Sequence, residues 1–172
     1  RIVTADRDFG DERPYSTVSV NEWNTVGNAQ VYYVSPKRRT VRHLARLLRE
    51  TPHDVLYLNS FFDPVFSLRP LLARRMRLAP CPPCVIAPRG EFSKGALALK
   101  SWKKRPFIAL SRLLRLHEGL LWQASTEHEA ADIRREMGAL ADAIAVAPDL
   151  THLPPLPDAF QEAGTEPGES PL

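Results

Sequence analysis

The sequence alternates short apolar segments with segments of helical periodicity. Six apolar segments are predicted to be strands: residues 2–5, 31–34, 54–60, 84–87, 120–124 and 143–147. Between them, apolar residues recur every three or four positions and predict helices that begin after residue 40, at Pro64, at Pro106 and at Thr126. Residues 54–60 are apolar on both faces, which is typical of a central strand in a parallel sheet.

Strands and helices that alternate in this way predict βαβ units. We therefore expect an α/β fold, a Rossmann-like doubly wound parallel sheet with helices on both faces. Residues 1–150 are expected to form this domain, since 172 residues suffice for one sizeable core. Residues 151–172 are rich in proline, acidic and without periodicity, and are predicted to be a linker or a disordered tail.

Composition adds little to this picture. The chain is 44% hydrophobic and 25% charged, as in ordinary globular proteins. No apolar run approaches the roughly 18 residues of a spanning helix, and the first residues lack the pattern of a signal peptide. The expected location is therefore cytoplasmic.

The distribution of charge is more informative than the net charge of +3. Residues 37–115 contain eighteen Lys and Arg but four Asp and Glu, a local net charge of +14. Such a field attracts phosphates, anionic lipid headgroups or nucleic acid. The alternative is that most of these side chains lie on solvated helix faces. The lack of interleaved aromatic residues and of a standard motif argues against nucleic-acid binding.

Two cysteines occur, in Cys81-Pro82-Pro83-Cys84. A redox pair with this spacing normally has its first cysteine at a helix N-terminus, but here a strand follows. Two thiolates also leave a zinc site two ligands short. The favoured interpretation is that this segment is a rigid entry to a buried strand, and the alternative is a redox or metal role.

The predicted topology places three loops where α/β sheets bind ligands, beyond the carboxyl ends of the strands. These loops are residues 59–62, 88–91 and 125–127, and the second contains an arginine, a glycine and a glutamate. A loop that only had to turn would not need that chemistry.

The sequences of these loops resemble a known family. The matching segments are DVLYLNSFF at 54–62, APRGEFSKGAL at 87–97 with three lysines behind it, QASTEHE at 123–129 and VAPD at 146–149. Together they resemble the N-terminal domain of family 4 glycosyltransferases over residues 1–150, and residues 87–104 are the most specific part.

The resemblance implies one half of a GT-B fold, in which two Rossmann-like domains face each other across a cleft. The N-terminal domain binds the acceptor, a glycan or glycolipid. The nucleotide-sugar donor binds mainly the C-terminal domain, and transfer requires no metal and no further cofactor. Relatives begin with a strand and a glycine-rich loop, whereas this sequence starts in what corresponds to their second strand, so the first strand is expected to be missing.

We therefore expect the acceptor half of a glycosyltransferase, as a fragment, a truncated reading frame or one member of a split enzyme, and inactive by itself. The alternative is a non-catalytic binding module that docks on an anionic membrane or on a separate donor domain.

The candidate site residues follow from the same loops. Acceptor binding is predicted for Asn59, Ser60, Arg89, Gly90, Glu91, Ser93 and Lys94, and contact with an anion or membrane for Lys100, Lys103 and Lys104. Many relatives have histidine where this sequence has Arg89. Because its pKa exceeds about 12, an arginine is not a base at neutral pH, but it can clamp a carboxylate or phosphate.

Structural roles are the alternatives for these residues. Arg89 and Glu91 could form a pair that orients the loop, Asn59 and Ser60 a polar cap, and the lysines a solvated helix surface. Glu127 and Glu129 are predicted to be cap residues, and no catalytic residue is assigned.

Overall fold

The computed structural model describes residues 1–148. The strands are β1 (Ile2–Ala5), β2 (Trp23–Val26), β3 (Ala29–Val34), β4 (Leu56–Asn59), β5 (Cys84–Ala87), β6 (Leu121–Ala124) and β7 (Ile144–Val146). The helices are α1 (Val41–Glu50), α2 (Leu68–Arg75), α3 (Lys94–Ala98), α4 (Ser101–Leu113) and α5 (Glu127–Met137), with short 3₁₀ turns at Pro36–Arg38 and Gly138–Leu140. The predicted tail, residues 151–172, lies outside the described residues.

The second half of the chain forms the predicted parallel sheet. Its order is β4-β5-β6-β7, and every pair is parallel. A helical connection follows each of β4, β5 and β6 and returns the chain to the same end of the sheet. Strands that are sequential in the chain therefore lie side by side. The mixed α/β class and the parallel pairing of these four strands are confirmed.

The first half departs from the prediction of one continuous parallel sheet. β1 and β3 pair in parallel, but β2 pairs antiparallel with β3, and these strands form a separate sheet of order β1-β3-β2. β2 was not predicted. It turns into β3 through Gly27-Asn28, where Gly27 has φ +54°, a backbone conformation suited to glycine in a two-residue hairpin.

Helices cover one face of the four-stranded sheet. Leu58, Ile86 and Trp122 on that face are buried in the main core, to which α2, α4 and α5 contribute Leu71, Ile108 and Ile133. The opposite face carries exposed apolar side chains, among them Val55 and Leu121. The sequence predicts helices on both faces of the sheet. Within residues 1–148, no helix buries these side chains on the second face.

Two predicted helix starts are wrong, both at prolines. Pro64 lies in a turn in which the Asp63 carboxylate accepts hydrogen bonds from the backbone of Val65 and Phe66, so α2 begins only at Leu68. Pro106 lies inside α4 rather than at its start. It removes one backbone hydrogen bond from the helix, a cost that α4 offsets by packing Ile108 into the core.

Aromatic side chains fill the core beneath the candidate loops. Phe61 lies next to Phe92 and Trp122, with ring centroids 4.7 and 6.1 Å away, and stacks on His117 at 4.6 Å. Trp122 donates its indole hydrogen bond to the carbonyl of Leu140 over 3.0 Å. The loop after β4 and the loop after β5 are thereby anchored in the same core through Phe61 and Phe92.

We expect the stability of the fold to fall in mild acid because of His117. Burial lowers the pKa of this side chain to about 4 from its ordinary value of 6.5. Between those values the unfolded chain binds a proton that the folded chain does not, so stability is full above pH 6.5 and decreases toward pH 4. The shift corresponds to about 3 kcal/mol.

Chemical denaturation at several pH values measures this effect. His117→Leu should flatten the dependence of the unfolding free energy on pH between 6.5 and 5, where most carboxylates remain ionised. His128→Gln is the matched control, because His128 is exposed on α5. A wild-type slope retained in His117→Leu would contradict the assignment.

Candidate functional site

Three loops meet at the carboxyl ends of β4, β5 and β6, as the parallel order requires. Two carboxylates, the half-buried Glu91 and the buried Glu129, connect these loops. Glu91, in the loop after β5, accepts hydrogen bonds from the Ser60 hydroxyl at 2.7 Å and from the backbone N–H of Phe61 at 2.6 Å. Its second oxygen is also 3.3 Å from the N–H of Phe62. Glu91 thus holds the loop that follows β4, a structural role different from the pair with Arg89 considered above.

Glu129 makes the second connection. One of its oxygens accepts a hydrogen bond from the N–H of Gly90 at 2.6 Å, and the other accepts from the N–H and the hydroxyl of Ser125 at 2.8 and 2.7 Å. Burial by itself raises the pKa of Glu129. The hydrogen bonds from Gly90 and Ser125, together with the charge of Arg89, outweigh it and leave the pKa below the ordinary value.

The predicted capping box is therefore only half formed. The Thr126 hydroxyl accepts from the N–H of Glu129 at 3.1 Å, as expected of an N-cap. In a complete capping box the Glu129 carboxylate would accept a hydrogen bond from the backbone N–H of Thr126. Here it accepts hydrogen bonds from Ser125 and Gly90 instead. Glu127 is exposed in the first turn of α5, where its negative charge interacts favourably with the positive end of the helix dipole.

Arg89 lies on the exposed side of these connections. Its Nε donates to Asn59 Oδ1 and one terminal nitrogen donates to the Tyr57 hydroxyl, both at 2.9 Å. Tyr57 in turn donates to Gln123 Oε1 at 2.6 Å. Polar side chains from β4, β6 and the loop after β5 thereby form one hydrogen-bonded row across the end of the sheet, which we call the Arg89 row (Asn59, Arg89, Tyr57, Gln123).

The backbone at Arg89 and Gly90 is unusual. Both residues are left-handed, with φ of 55° and 76°, and Ser60 in the neighbouring loop has φ 105°. Left-handed backbone costs a non-glycine residue roughly 1 kcal/mol or more, so such residues persist where the surroundings hold them. Glycine at position 90 is favoured by the positive φ alone, since a Cβ there would meet no atom within 4 Å.

The remaining predicted residues lie further along the chain. Ser93 is the N-cap of α3 and accepts from the N–H of Ala96 at 3.3 Å, and Lys94 is exposed in the first turn. Lys104 donates to the carbonyl of Ala96 at 2.7 Å, and its ammonium lies 5.0 Å from the Phe62 ring centroid. Lys100 and Lys103 are exposed.

The structure brings together Asn59, Arg89 and Gly90 from the predicted set. Ser60 and Glu91 are engaged in the loop connection, and Tyr57, Gln123 and Glu129 were missed as members of the cluster. A signal for the first two exists in the sequence. Tyr57 is two residues before Asn59 and so on the same face of β4, and Gln123 is the one amide side chain in β6.

The cysteines do not form a reactive pair in the structure. Cys81 and Cys84 are free thiols, and burial at the start of β5 raises the pKa of Cys84 to about 11. The buried thiol is therefore protonated near neutral pH. Among residues 1–148, no group of three or more His, Cys, Asp or Glu is placed to hold a metal ion.

Comparisons with known proteins add no relationship to these observations. No family model matches the chain, no curated protein matches its sequence and no solved structure matches its fold. Within residues 1–148, moreover, every helix is too short or too polar to cross a bilayer.

The connection through Glu129 can be tested by removing its charge. Glu129→Gln should lower the free energy of unfolding by about 2 kcal/mol, because three hydrogen bonds lose their ionised acceptor. Amide exchange at Gly90 and Ser125 should accelerate, which NMR-detected hydrogen exchange measures directly. Glu127→Gln, two residues earlier on exposed surface, should leave exchange at Gly90 and Ser125 unchanged and lower the free energy of unfolding by only about 0.5 kcal/mol, the value of one exposed charge at a helix N-terminus. Unaltered protection at Gly90 in Glu129→Gln would refute the connection.

Proposed function

We propose that this domain is the acceptor-binding half of a glycosyltransferase that moves a sugar from a nucleotide-sugar donor to a glycan or lipid-linked acceptor. The observation that carries the proposal is the Arg89 row. It sets an exposed guanidinium among hydroxyl and amide groups at the carboxyl ends of parallel strands, the edge at which α/β sheets bind ligands. The resemblance of the loop sequence at 87–104 points in the same direction.

The chemistry of the row suits a saccharide that carries an anionic group. Amide and phenol groups both donate and accept hydrogen bonds, as sugar hydroxyls require. A guanidinium whose orientation is fixed by Asn59 and Tyr57 can bind a phosphate or carboxylate with two parallel hydrogen bonds. Arg89 is not a base at neutral pH, so its role is to bind and orient the acceptor.

Transfer would also need groups that hold the donor. The leaving diphosphate must be stabilised as charge develops on it, and the acceptor hydroxyl must lie in line with the anomeric carbon. We assign these tasks to a facing donor domain, with Arg89, Asn59 and Tyr57 supplying the acceptor side of the cleft. We propose that the transfer takes place in the cytoplasm, the location expected from the sequence.

Calorimetric titration with a matched pair of oligosaccharides, one neutral and one phosphorylated, tests the proposal. The wild-type chain should prefer the phosphorylated ligand, and Arg89→Gln should lose that preference with a fall in affinity of about tenfold or more. Arg89→Lys should recover only part of it, because an ammonium does not form the bidentate contact. Arg134→Gln, an exposed arginine on α5, is the control.

Two results would overturn the proposal. One is equal affinity of wild type and Arg89→Gln for the phosphorylated oligosaccharide. The other is tight binding of a nucleotide sugar to this chain alone, since the donor site would then lie within it rather than in a facing domain.

A second candidate function, docking on an anionic membrane surface, is favoured by α4. Its outward face carries an apolar stripe at i, i+4, i+7 and i+11, formed by Trp102, Pro106, Ala109 and Leu113. Trp102 and Leu113 are 73% and 79% exposed. Lys103 flanks the stripe, and Lys100 precedes the helix. An exposed apolar stripe bordered by cations is the pattern of a helix that lies in a bilayer interface.

Sedimentation with vesicles tests this second function. Phosphatidylglycerol vesicles should retain the chain, and the double variant Lys100→Ala/Lys103→Ala should bind about thirtyfold more weakly, since each interfacial lysine contributes about 1 kcal/mol. Arg75→Ala/Arg77→Ala removes two exposed charges at the end of α2 and should leave binding unchanged. Equal recovery with phosphatidylcholine and phosphatidylglycerol vesicles would exclude docking by this mechanism.

A further inference from the structure

The two sheets present unpaired edges to a common groove. β1 is an edge of the three-stranded sheet, and β4 is an edge of the four-stranded sheet. Between them lies a groove of about 520 Å³ that is lined by residues 1–4 and residues 55–59. Leu44, Leu47 and Leu48 of α1 also line it, together with Phe66 and Pro70. Backbone groups of two different sheets therefore border one apolar cleft.

The sequences of these edge strands are those of interior strands. β1 (IVTA) and β4 (LYLN) contain neither the proline nor the lysine that natural edge strands use to prevent further pairing. Apolar side chains at the groove are nevertheless half exposed, at 51% for Ile2 and 52% for Val55. A parallel sheet is normally buried, and its strands are apolar on both faces for that reason. Both strands therefore have the composition of strands with a neighbour on each side.

We propose that this groove binds an extended apolar β-strand contributed by polypeptide outside residues 1–172. One inserted strand would pair with β1 on one side and with β4 on the other, which would join the two sheets into one. Main-chain hydrogen bonds to a sheet edge provide affinity in this mode of recognition, and pockets for alternate side chains provide specificity.

The groove defines the chemistry of its occupant. β1 and β4 are each four residues long, so the paired part of the inserted strand is about as long. Three of the lining residues have acidic or basic side chains: Arg1, His53 and Asp63. Because apolar and aromatic residues form most of the wall, charged residues inside the groove would lose their hydration without gaining partners. The inserted segment is therefore apolar, β-branched or aromatic, and free of proline.

The terminal segment of the chain itself does not meet these requirements. Residues 149–172 follow β7, which is the opposite edge of the four-stranded sheet from β4. Their apolar positions near the start are interrupted by Pro154, Pro155 and Pro157. Proline lacks the N–H that a strand between two neighbours must donate, so this segment is a poor central strand.

A second copy of the chain is also a poor fit. All seven strands within residues 1–148 are already paired in one of the two sheets, so none can be donated without breaking existing hydrogen bonds.

The test uses a labelled ten-residue peptide with five alternating valines and isoleucines at its centre and lysines at its ends, added to the full chain. Fluorescence anisotropy should show saturable binding, and hydrogen exchange should slow at the backbone amides of β1 and β4 but not of β2 and β7. A peptide with proline at its central position should not bind. The double variant Ile2→Lys/Val55→Lys should reduce affinity at least tenfold.

The variants are chosen so that folding is not in question. Ile2 and Val55 are already half exposed, so their replacement removes no core contact. Val26→Lys/Val146→Lys is the matched control, because both valines are exposed on the outer edge strands β2 and β7, away from the groove. Circular dichroism should be the same for all three proteins.

Three results would overturn the proposal. The first is peptide binding that is unaffected by Ile2→Lys/Val55→Lys or that protects β2 or β7 instead. The second is a dimer, detected by sedimentation, that Ile2→Lys/Val55→Lys dissociates, since a second copy would then occupy the groove. The third is loss of protection in β1 and β4 on deletion of residues 149–172, which would identify the chain's own end as the occupant.

Discussion

Two carboxylates, one buried and one half-buried, determine the shape of the candidate site. Glu91 binds the backbone of the loop after β4, and Glu129 binds the loops after β5 and β6. Each loop on its own is a short turn at the end of a strand, and two of them contain residues with positive φ. The carboxylates compensate for that conformational cost with ionic hydrogen bonds, which are stronger than neutral ones. The exposed position of Arg89 depends on this arrangement, because Gly90 beside it is fixed by Glu129.

The sequence predicts the parallel half of the fold better than the first half, for a physical reason. β4 to β7 alternate with helices, so apolar runs and helical periodicity are separated by clear turn signals. β2 is partly exposed, and its polar Asn24 and Thr25 give no apolar run, so only the Gly27-Asn28 turn indicates the hairpin. The separation of the strands into two sheets depends on which edges meet, and this is not encoded in local periodicity.

For the site, the topology was more informative than the individual residues. Strand ends predict that residues near 59, 89 and 125 meet, and the structure brings them together. The partners of each side chain depend on rotamers and on backbone direction. Glu91 follows Arg89 by two positions and suggests a local pair, yet it turns toward the loop after β4. Glu129 matches the pattern of a helix cap, but the left-handed turn brings the N–H of Gly90 within its reach.

The connectivity of the four-stranded sheet has a consequence for cooperativity. Its strands pair only with their neighbours in sequence, so residues from about 56 to 146 form local contacts with modest loop-closure entropy. The N-terminal sheet is linked to this unit through α1, whose Ala45 packs with Ala73 of α2. It is also linked through the segment before α2, whose Val65 and Phe66 pack against the cluster around Tyr32. Such links are small compared with the aromatic core. We infer that the molecule comprises two foldons, and that the N-terminal one opens at a lower free energy while the other remains native.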